Sequence, residues 1–193
     1  MAMNKIKMLN RISIDGYFAS LNEVNSGMDW FIHDSEVDKV AHEIGGKMNS
    51  LILGGITYRL FERSWVPLLK NSDAPAHLKG IAEELTGMNK IVFSKTLYGS
   101  EWENTRIYND NLIDIVRHLK QDADSDILVL GSGSIVQQLA NERLIDEYIF
   151  IVTPVVAGEG NPLFPSVKQQ DLTLVDSRTF ETGNVVLHYM LKS

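Results

Sequence analysis

Short apolar runs alternate along the chain with segments in which apolar residues recur every three or four positions. The runs are Lys5–Ile12, Ser50–Leu53, Lys90–Ser94, Thr105–Tyr108, Asp126–Leu130, Glu147–Thr153, Thr173–Thr179 and Asn184–Leu191, and their length and residue types predict strands. Three of them contain the unbroken runs LIL, IVF and ILVL, as expected of strands covered on both faces by helices. The intervening periodicity predicts helices over Ser35–Met48, Thr57–Arg63, Pro75–Leu85, Asn111–Gln121 and Ser134–Arg143. Val37, Val40, Ala41, Ile44 and Met48 share a face of the first. Leu112, Ile115, Val116 and Leu119 do so in the fourth, with Asp110 or Asn111 as its N-cap. Trp65 with Pro67 marks the end of the second helix, and Glu101-Trp102-Glu103 reads as a partly exposed aromatic with no assignable role.

Strand–helix alternation with short connections predicts an α/β fold: a mostly parallel central sheet with helices on both faces. The last two strands have no helix between them and flank Thr182-Gly183-Asn184, so the sheet should finish in a C-terminal antiparallel hairpin. No linker, repeat or low-complexity tract interrupts the 193 residues, which argues for a single domain over 1–193.

Composition narrows the function classes. Eighteen basic against 25 acidic residues give a net charge of −7 without a basic patch, which disfavours nucleic acid as a partner. The absence of cysteine excludes disulfides, thiolate metal sites and cysteine nucleophiles. His33, His42, His77, His118 and His188 form no H-x-x-x-H or H-E-x-x-H pair, so no metal site is expected. The N-terminal MAMNKIKMLNR has no apolar signal-peptide core, and no apolar stretch reaches the ~20 residues of a membrane span. The expectation is a cytoplasmic protein with no membrane partner. The apolar C-terminal strands, if they lie at a sheet edge, would need covering, which suggests a homodimer.

Two segments carry the chemistry. In DILVLGSGSIVQQLANERL (126–144) a buried strand runs through Gly131-Ser132-Gly133-Ser134 into an amphipathic helix. SLILGGITYRLF (50–61) repeats that form with Gly54-Gly55 and a helix beginning near Thr57. Each turn could leave backbone N–H groups free at a helix N-terminus, where the helix dipole favours an anion. A ligand-free tight turn, with Thr57 as a simple cap, gives the same pattern. Together the two turns suggest a cradle for a pyrophosphate. A Rossmann fingerprint would want a third glycine near Val136 and an earlier place in the chain, so Rossmann-type dinucleotide binding is disfavoured.

The first turn resembles the G-R-x-T-Y/F/W segment of dihydrofolate reductases, IVFSK (91–95) their following strand, and GSGS (131–134) their later G-G-G turn. Ser13-x-Asp15-Gly16-x-x-Ala19 and PVVAGEGNPLF (154–164) are closer to the C-terminal reductase domain of bacterial riboflavin biosynthesis, the RibD-like type. These resemblances cover nearly the whole chain in one order. They imply a single-domain dihydrofolate-reductase-like fold and an NADPH-dependent reductase. Gly54, Gly55, Thr57 and Gly131, Ser132, Gly133, Ser134 would then hold the cofactor phosphates, with Ser94 and Lys95 beside the adenosine 2′-phosphate. Gly55 stands where dihydrofolate reductases carry an arginine, so one bidentate phosphate contact is missing. The implied substrate is a small pyrimidine- or pterin-like heterocycle, most like 5-amino-6-(5-phosphoribosylamino)uracil. Dihydrofolate-type reduction, and a non-catalytic nucleotide-binding module on the same fold, remain as alternatives.

Hydride transfer to a C=N or carbonyl carbon leaves an atom in need of a proton. Asp38, sixteen residues before Gly54, resembles in spacing the acid-bearing helix position of dihydrofolate reductases; Ser35-x-x-Asp38 equally resembles a capping box. Ser13 and Asp15 become catalytic candidates through the riboflavin-reductase resemblance, while Asp15-Gly16 also fits a plain turn. Trp30 and Phe31 are candidate walls of a planar substrate pocket or ordinary core.

Overall fold

The structure is a computed structural model that describes residues 4–22, 27–46, 48–122 and 124–192; Lys47, within the first predicted helix, falls outside them. The order of elements is β1 (Ile6–Ile12), β2 (Tyr17–Ala19), α1 (Ser35–Gly45), β3 (Ser50–Gly54), α2 (Gly55–Lys70), α3 (Ala76–Gly87), β4 (Asn89–Phe93), β5 (Thr105–Tyr108), α4 (Leu112–Asp122), β6 (Ile127–Leu130), α5 (Gly133–Asn141), β7 (Glu147–Val152), β8 (Asn161–Pro162), β9 (Leu172–Thr179) and β10 (Val185–Leu191). Eight strands form one sheet in the order β5-β4-β3-β6-β1-β7-β10-β9. Pairing from β5 through to β7 is parallel, and β7-β10-β9 is antiparallel. The α/β class, the mostly parallel sheet and the terminal hairpin therefore stand as the sequence predicts.

Alternation along the central strands assigns the two faces. Ile52, Val129, Ile6 and Met8 turn towards Leu112 and Val116 of α4 and Val136 and Leu139 of α5. Leu51, Leu53 and Leu128 turn the other way, towards Tyr58 of α2 and Leu85 of α3. On that same face Val37 and Ala41 of α1 cover Ile149, Ile151 and Val186. Each such fully buried aliphatic side chain contributes about 1.5–3 kcal/mol, which is why these runs had to be continuous. Strand β9 is a sheet edge, and Leu174 and Val175 on it are exposed, the condition on which the homodimer expectation rests.

Four local expectations are corrected. Helix α2 does not end at Trp65–Pro67 but runs to Lys70 with Pro67 inside it. Phe61, Trp65 and Val66 pack against the core, and Pro67 is exposed, so the forfeited backbone bond lies on the wet side. Trp102 is buried, with Nε1 donating to Thr86 Oγ1 at 2.8 Å and the Lys90 ammonium 4.6 Å from its ring. Its acidic neighbours in sequence hide a core residue. The cap of α1 is Asp34, whose carboxylate accepts from the Glu36 N–H at 2.9 Å, not Ser35 paired with Asp38. Nor does Thr57 cap α2, whose N-cap is Gly54 and whose first turn has no side-chain cap.

Candidate functional site

Helix α2 leaves β3 on one face of the sheet, whereas α5 leaves the adjacent β6 on the other. Connections that part to opposite faces open a crevice at the carboxyl ends of those strands, the usual ligand position in such sheets. Both predicted glycine turns stand there. Ser132 closes them on each other: its Oγ accepts the Gly54 N–H at 2.9 Å and lies 2.8 Å from Thr57 Oγ1. A Cβ on Gly54 would sit 2.3 Å from Ser132 Oγ, so only glycine permits this closure. Ser132 holds a left-handed backbone (φ 57°) to reach across.

Because Thr57 and Ser132 spend their hydroxyls on each other, neither caps a helix. Helices α2 and α5 both begin without a side-chain acceptor for their first N–H groups, which leaves donors directed at the crevice. Gly133 is close-packed against Phe18 of β2; a Cβ there would lie 2.5 Å from the ring. Ser134 follows at the surface. On the next strand out, Ser94 Oγ accepts the Leu97 N–H at 3.1 Å and would lie 2.5 Å from a Cβ on Gly55. A side chain at position 55 would therefore require Ser94 to shift. Lys95 is exposed and pairs with no carboxylate among the described residues. Gly54, Gly55, Thr57, Ser94, Lys95 and Gly131–Ser134 thus converge on the ends of β4, β3 and β6.

The other sequence candidates lie past β1. Ser13 is fully buried; its Oγ accepts the Tyr17 N–H at 3.0 Å and closes the turn into β2. Asp15 reaches the loop after β7, where its carboxylate accepts from Ala157 N–H at 2.9 Å and Gly158 N–H at 2.8 Å. The Ser13 hydroxyl and these two amides hold it ionised, with a pKa lowered to about 2. These contacts make Asp15 a staple between the loop after β1 and the loop after β7. Asp38 pairs with Arg11 and stays more than half exposed, which leaves it in an ion pair instead of a dry pocket. Trp30 and Phe31 meet edge to face at 4.6 Å just before α1.

Several residues here escaped the sequence reading. Asp34 caps α1, accepts the Thr182 hydroxyl at 2.7 Å and feels the charge of Arg11. Thr182 Oγ1, the neighbouring helix-end amides and Arg11 together hold its pKa below the usual carboxylate range. Asn184 Nδ2 donates to Thr182 Oγ1 at 3.0 Å and to the Ile32 carbonyl at 3.3 Å. The short β2–β8 ladder, which seats Phe18 against Gly133, was also missed. Only the tight Thr182–Asn184 turn gave a sequence signal.

A helical-crossover sheet with paired glycine turns at its switch point and a terminal hairpin defines the dihydrofolate-reductase-like class. Consistent with that, dihydrofolate reductase from Enterococcus faecalis, complexed with NADP(H), superimposes with a TM-score of 0.66 at 11% identity, over 98% of this chain and 97% of that one. A putative riboflavin biosynthesis protein from Shewanella sp. PV-4 gives 0.67 at 20% identity, over 98% and 99%. Within this class, the profile of the RibD C-terminal domain matches residues 4–186, and the chain belongs to that family. In sequence it is 30% identical to the uncharacterized protein YyaP of Bacillus subtilis (strain 168), across 92% of this chain and 90% of YyaP.

Proposed function

We propose that this protein is an NADPH-dependent reductase of a small pyrimidine- or pterin-like heterocycle. One observation carries the reading: two uncapped helix N-termini meet at the switch point and are tied together by Ser132. The residues present fit a dinucleotide. The first N–H groups of α2 and α5 would take the pyrophosphate, and Lys95, with no carboxylate partner among the described residues, would take a 2′-phosphate. NADPH, when bound, supplies the hydride.

The chain's own contribution is orientation and charge. Ser132 and Thr57 set the spacing of the two helix ends, and the Asp15 staple fixes the 155–158 loop beside the end of β1. Asp15 and Asp34 are both held ionised, and Asp38 is committed to Arg11. With these carboxylates occupied by their own contacts, this reading assigns proton delivery to solvent. RibD-family membership favours an aminopyrimidine over dihydrofolate.

Titration with NADPH and with NADH, followed by tryptophan fluorescence, tests this. NADPH should bind with NADH at least ~10-fold weaker, about 1.4 kcal/mol. Failure of both dinucleotides to bind defeats the proposal.

A further inference from the structure

Among the described residues α5 is the last helix. Tyr148 and Phe150, which β7 presents on the α4–α5 face of the sheet, are flanked by segment 163–172 instead of a further helix. Phe164 sets its ring 6.3 Å from that of Tyr148 and 6.0 Å from that of Phe150. Side chains pin the segment in place. Tyr148 donates its hydroxyl to Gln170 Oε1 at 3.0 Å, and Gln170 donates Nε2 to the Ala140 carbonyl near the end of α5. Asn141 Oδ1 accepts the Lys168 N–H at 2.9 Å, and Gln137 Nε2 donates to the Leu163 carbonyl at 3.1 Å.

The pinned segment does not fill the space beside the sheet. A cavity of about 180 Å³ remains, walled by Ala140, Tyr148, Phe150, Phe164, Val167 and Leu172. Close-packed interiors leave few voids larger than a water molecule. A dry apolar cavity of about 150 Å³ holds one benzene, so this one has room for one six-membered ring and a short substituent. Its three aromatic side chains offer faces and edges to such a ring. Burial pushes the Tyr148 hydroxyl up to about 12, so this wall stays uncharged near neutrality.

The mouth of the cavity is cationic. Phe164 is 37% exposed, and Lys168 lines the same cavity from the surface. Arg143 lies near enough to the Tyr148 hydroxyl for its charge to act there. With Lys192 it lines a second cavity, of about 260 Å³, that shares Gln170 with the first. Among the described residues none of these three cations pairs with a carboxylate. The carboxylates nearby are Asp171, which lines the second cavity, and Asp146, which is spent on Lys120. The local balance is positive in a chain of net charge −7, and it favours an anion. We propose that the cavity binds a small aryl carboxylate, its ring between Tyr148, Phe150 and Phe164 and its carboxylate at Lys168, within the field of Arg143. The site lies at the amino end of β7, away from the crevice at the carboxyl ends of the parallel strands, and is independent of the reductase reading.

The test titrates the full chain with phenylacetate, with benzyl alcohol as the same ring without charge and acetate as the charge without a ring. Methyl resonances of Val167 and Leu172 follow the cavity, and amide resonances of Gly131 and Gly133 follow the crevice. Phenylacetate should shift the two methyls, spare the two amides and bind about tenfold tighter than benzyl alcohol. Acetate should leave the methyls in place. Lys168→Gln combined with Arg143→Gln should erase the advantage of phenylacetate and leave benzyl alcohol unchanged. Val167→Phe fills the cavity with a ring of the chain's own and should abolish binding of both, with the Gly131 and Gly133 amides still at their native positions. No methyl shift with phenylacetate, shifts confined to the crevice amides, or undiminished binding to Val167→Phe overturns the proposal. So does a phenylacetate advantage that survives the double variant. Probe affinity that falls as protein concentration rises would mean that a second copy of the chain occupies the cavity, and would equally overturn it.

Discussion

Ser132 Oγ accepts the Gly54 N–H at 2.9 Å across the seam between two neighbouring strands, although 78 residues separate them in sequence. This bond and the Thr57 contact set the distance between the two helix ends of the cradle. Ser132→Ala removes both and should cost about 1–2 kcal/mol of stability. NADPH affinity should fall roughly tenfold, the equivalent of about 1.4 kcal/mol. Gly54→Ala should be worse, because its Cβ would sit 2.3 Å from Ser132 Oγ. Adding Ser132→Gly removes that clash, so the double variant should recover stability lost by Gly54→Ala alone. Urea denaturation of the four proteins measures the coupling; strictly additive losses would contradict the seam.

Lys95 should decide between the two nicotinamide dinucleotides. Its ammonium pairs with no carboxylate among the described residues, and it follows Ser94 at the end of β4. Lys95→Gln should weaken NADPH about tenfold and leave NADH unchanged, abolishing the preference. Added salt should erode the same preference in the wild type. Equal losses for both cofactors would place Lys95 away from the 2′-phosphate.

The Asp15 staple makes a pH prediction with a definite sign. Its pKa falls from the ordinary 3.8 to about 2 in the folded protein, so the folded state favours the carboxylate. The resulting stabilisation is complete above the unfolded value, declines as pH drops from ~3.8, and is gone below about 2. A carbon-detected NMR titration of the Asp15 carboxyl should therefore show a midpoint near 2. Asp15→Asn keeps one acceptor oxygen in place of two. It should speed amide exchange at Ala157 and Gly158 while leaving NADPH affinity within about twofold.

The sheet and its helices were legible because each strand obeys one local rule, continuous or alternating apolarity, whichever neighbours it finds. The paired glycine turns were legible for a related reason: Gly54, Gly131 and Gly133 are punctuation that a close approach demands. The contacts of the two candidate acids were not. Asp15 and Asp38 sit at sequence positions that suit a proton donor, but two loop amides claim the first and Arg11 claims the second. Asp34 caps the helix one residue before the predicted Ser35, a displacement within the usual uncertainty of helix ends. Asp34 reaches Thr182 across 148 residues and Asn184 reaches the Ile32 carbonyl across 152, contacts that no local pattern contains. Trp102 was misread because flanking glutamates report the exposure of their own side chains and say nothing of the residue between them.

Lys90 and Trp102 form the one deeply buried charged contact in the α2–α3 half of the described core, and its energetics can be separated. The ammonium donates to the carbonyls of Leu85, Thr86 and Met88 at 2.8–2.9 Å, closing the C-terminal end of α3. Burial pulls its pKa down to about 8, so it remains mostly charged at pH 7 and complements the helix dipole. Lys90→Met fills the volume but strips three carbonyls of their donor, and should cost about 2–4 kcal/mol. Trp102→Leu loses the indole bond to Thr86 together with the ring face, and should cost about 2–4 kcal/mol. The ring face beneath the ammonium adds a cation–π contribution of about 1–2 kcal/mol in this desolvated setting. The double variant should therefore be less destabilised than the sum of the singles, by roughly that amount. Additive losses in urea denaturation would mean that the ammonium feels only the carbonyls.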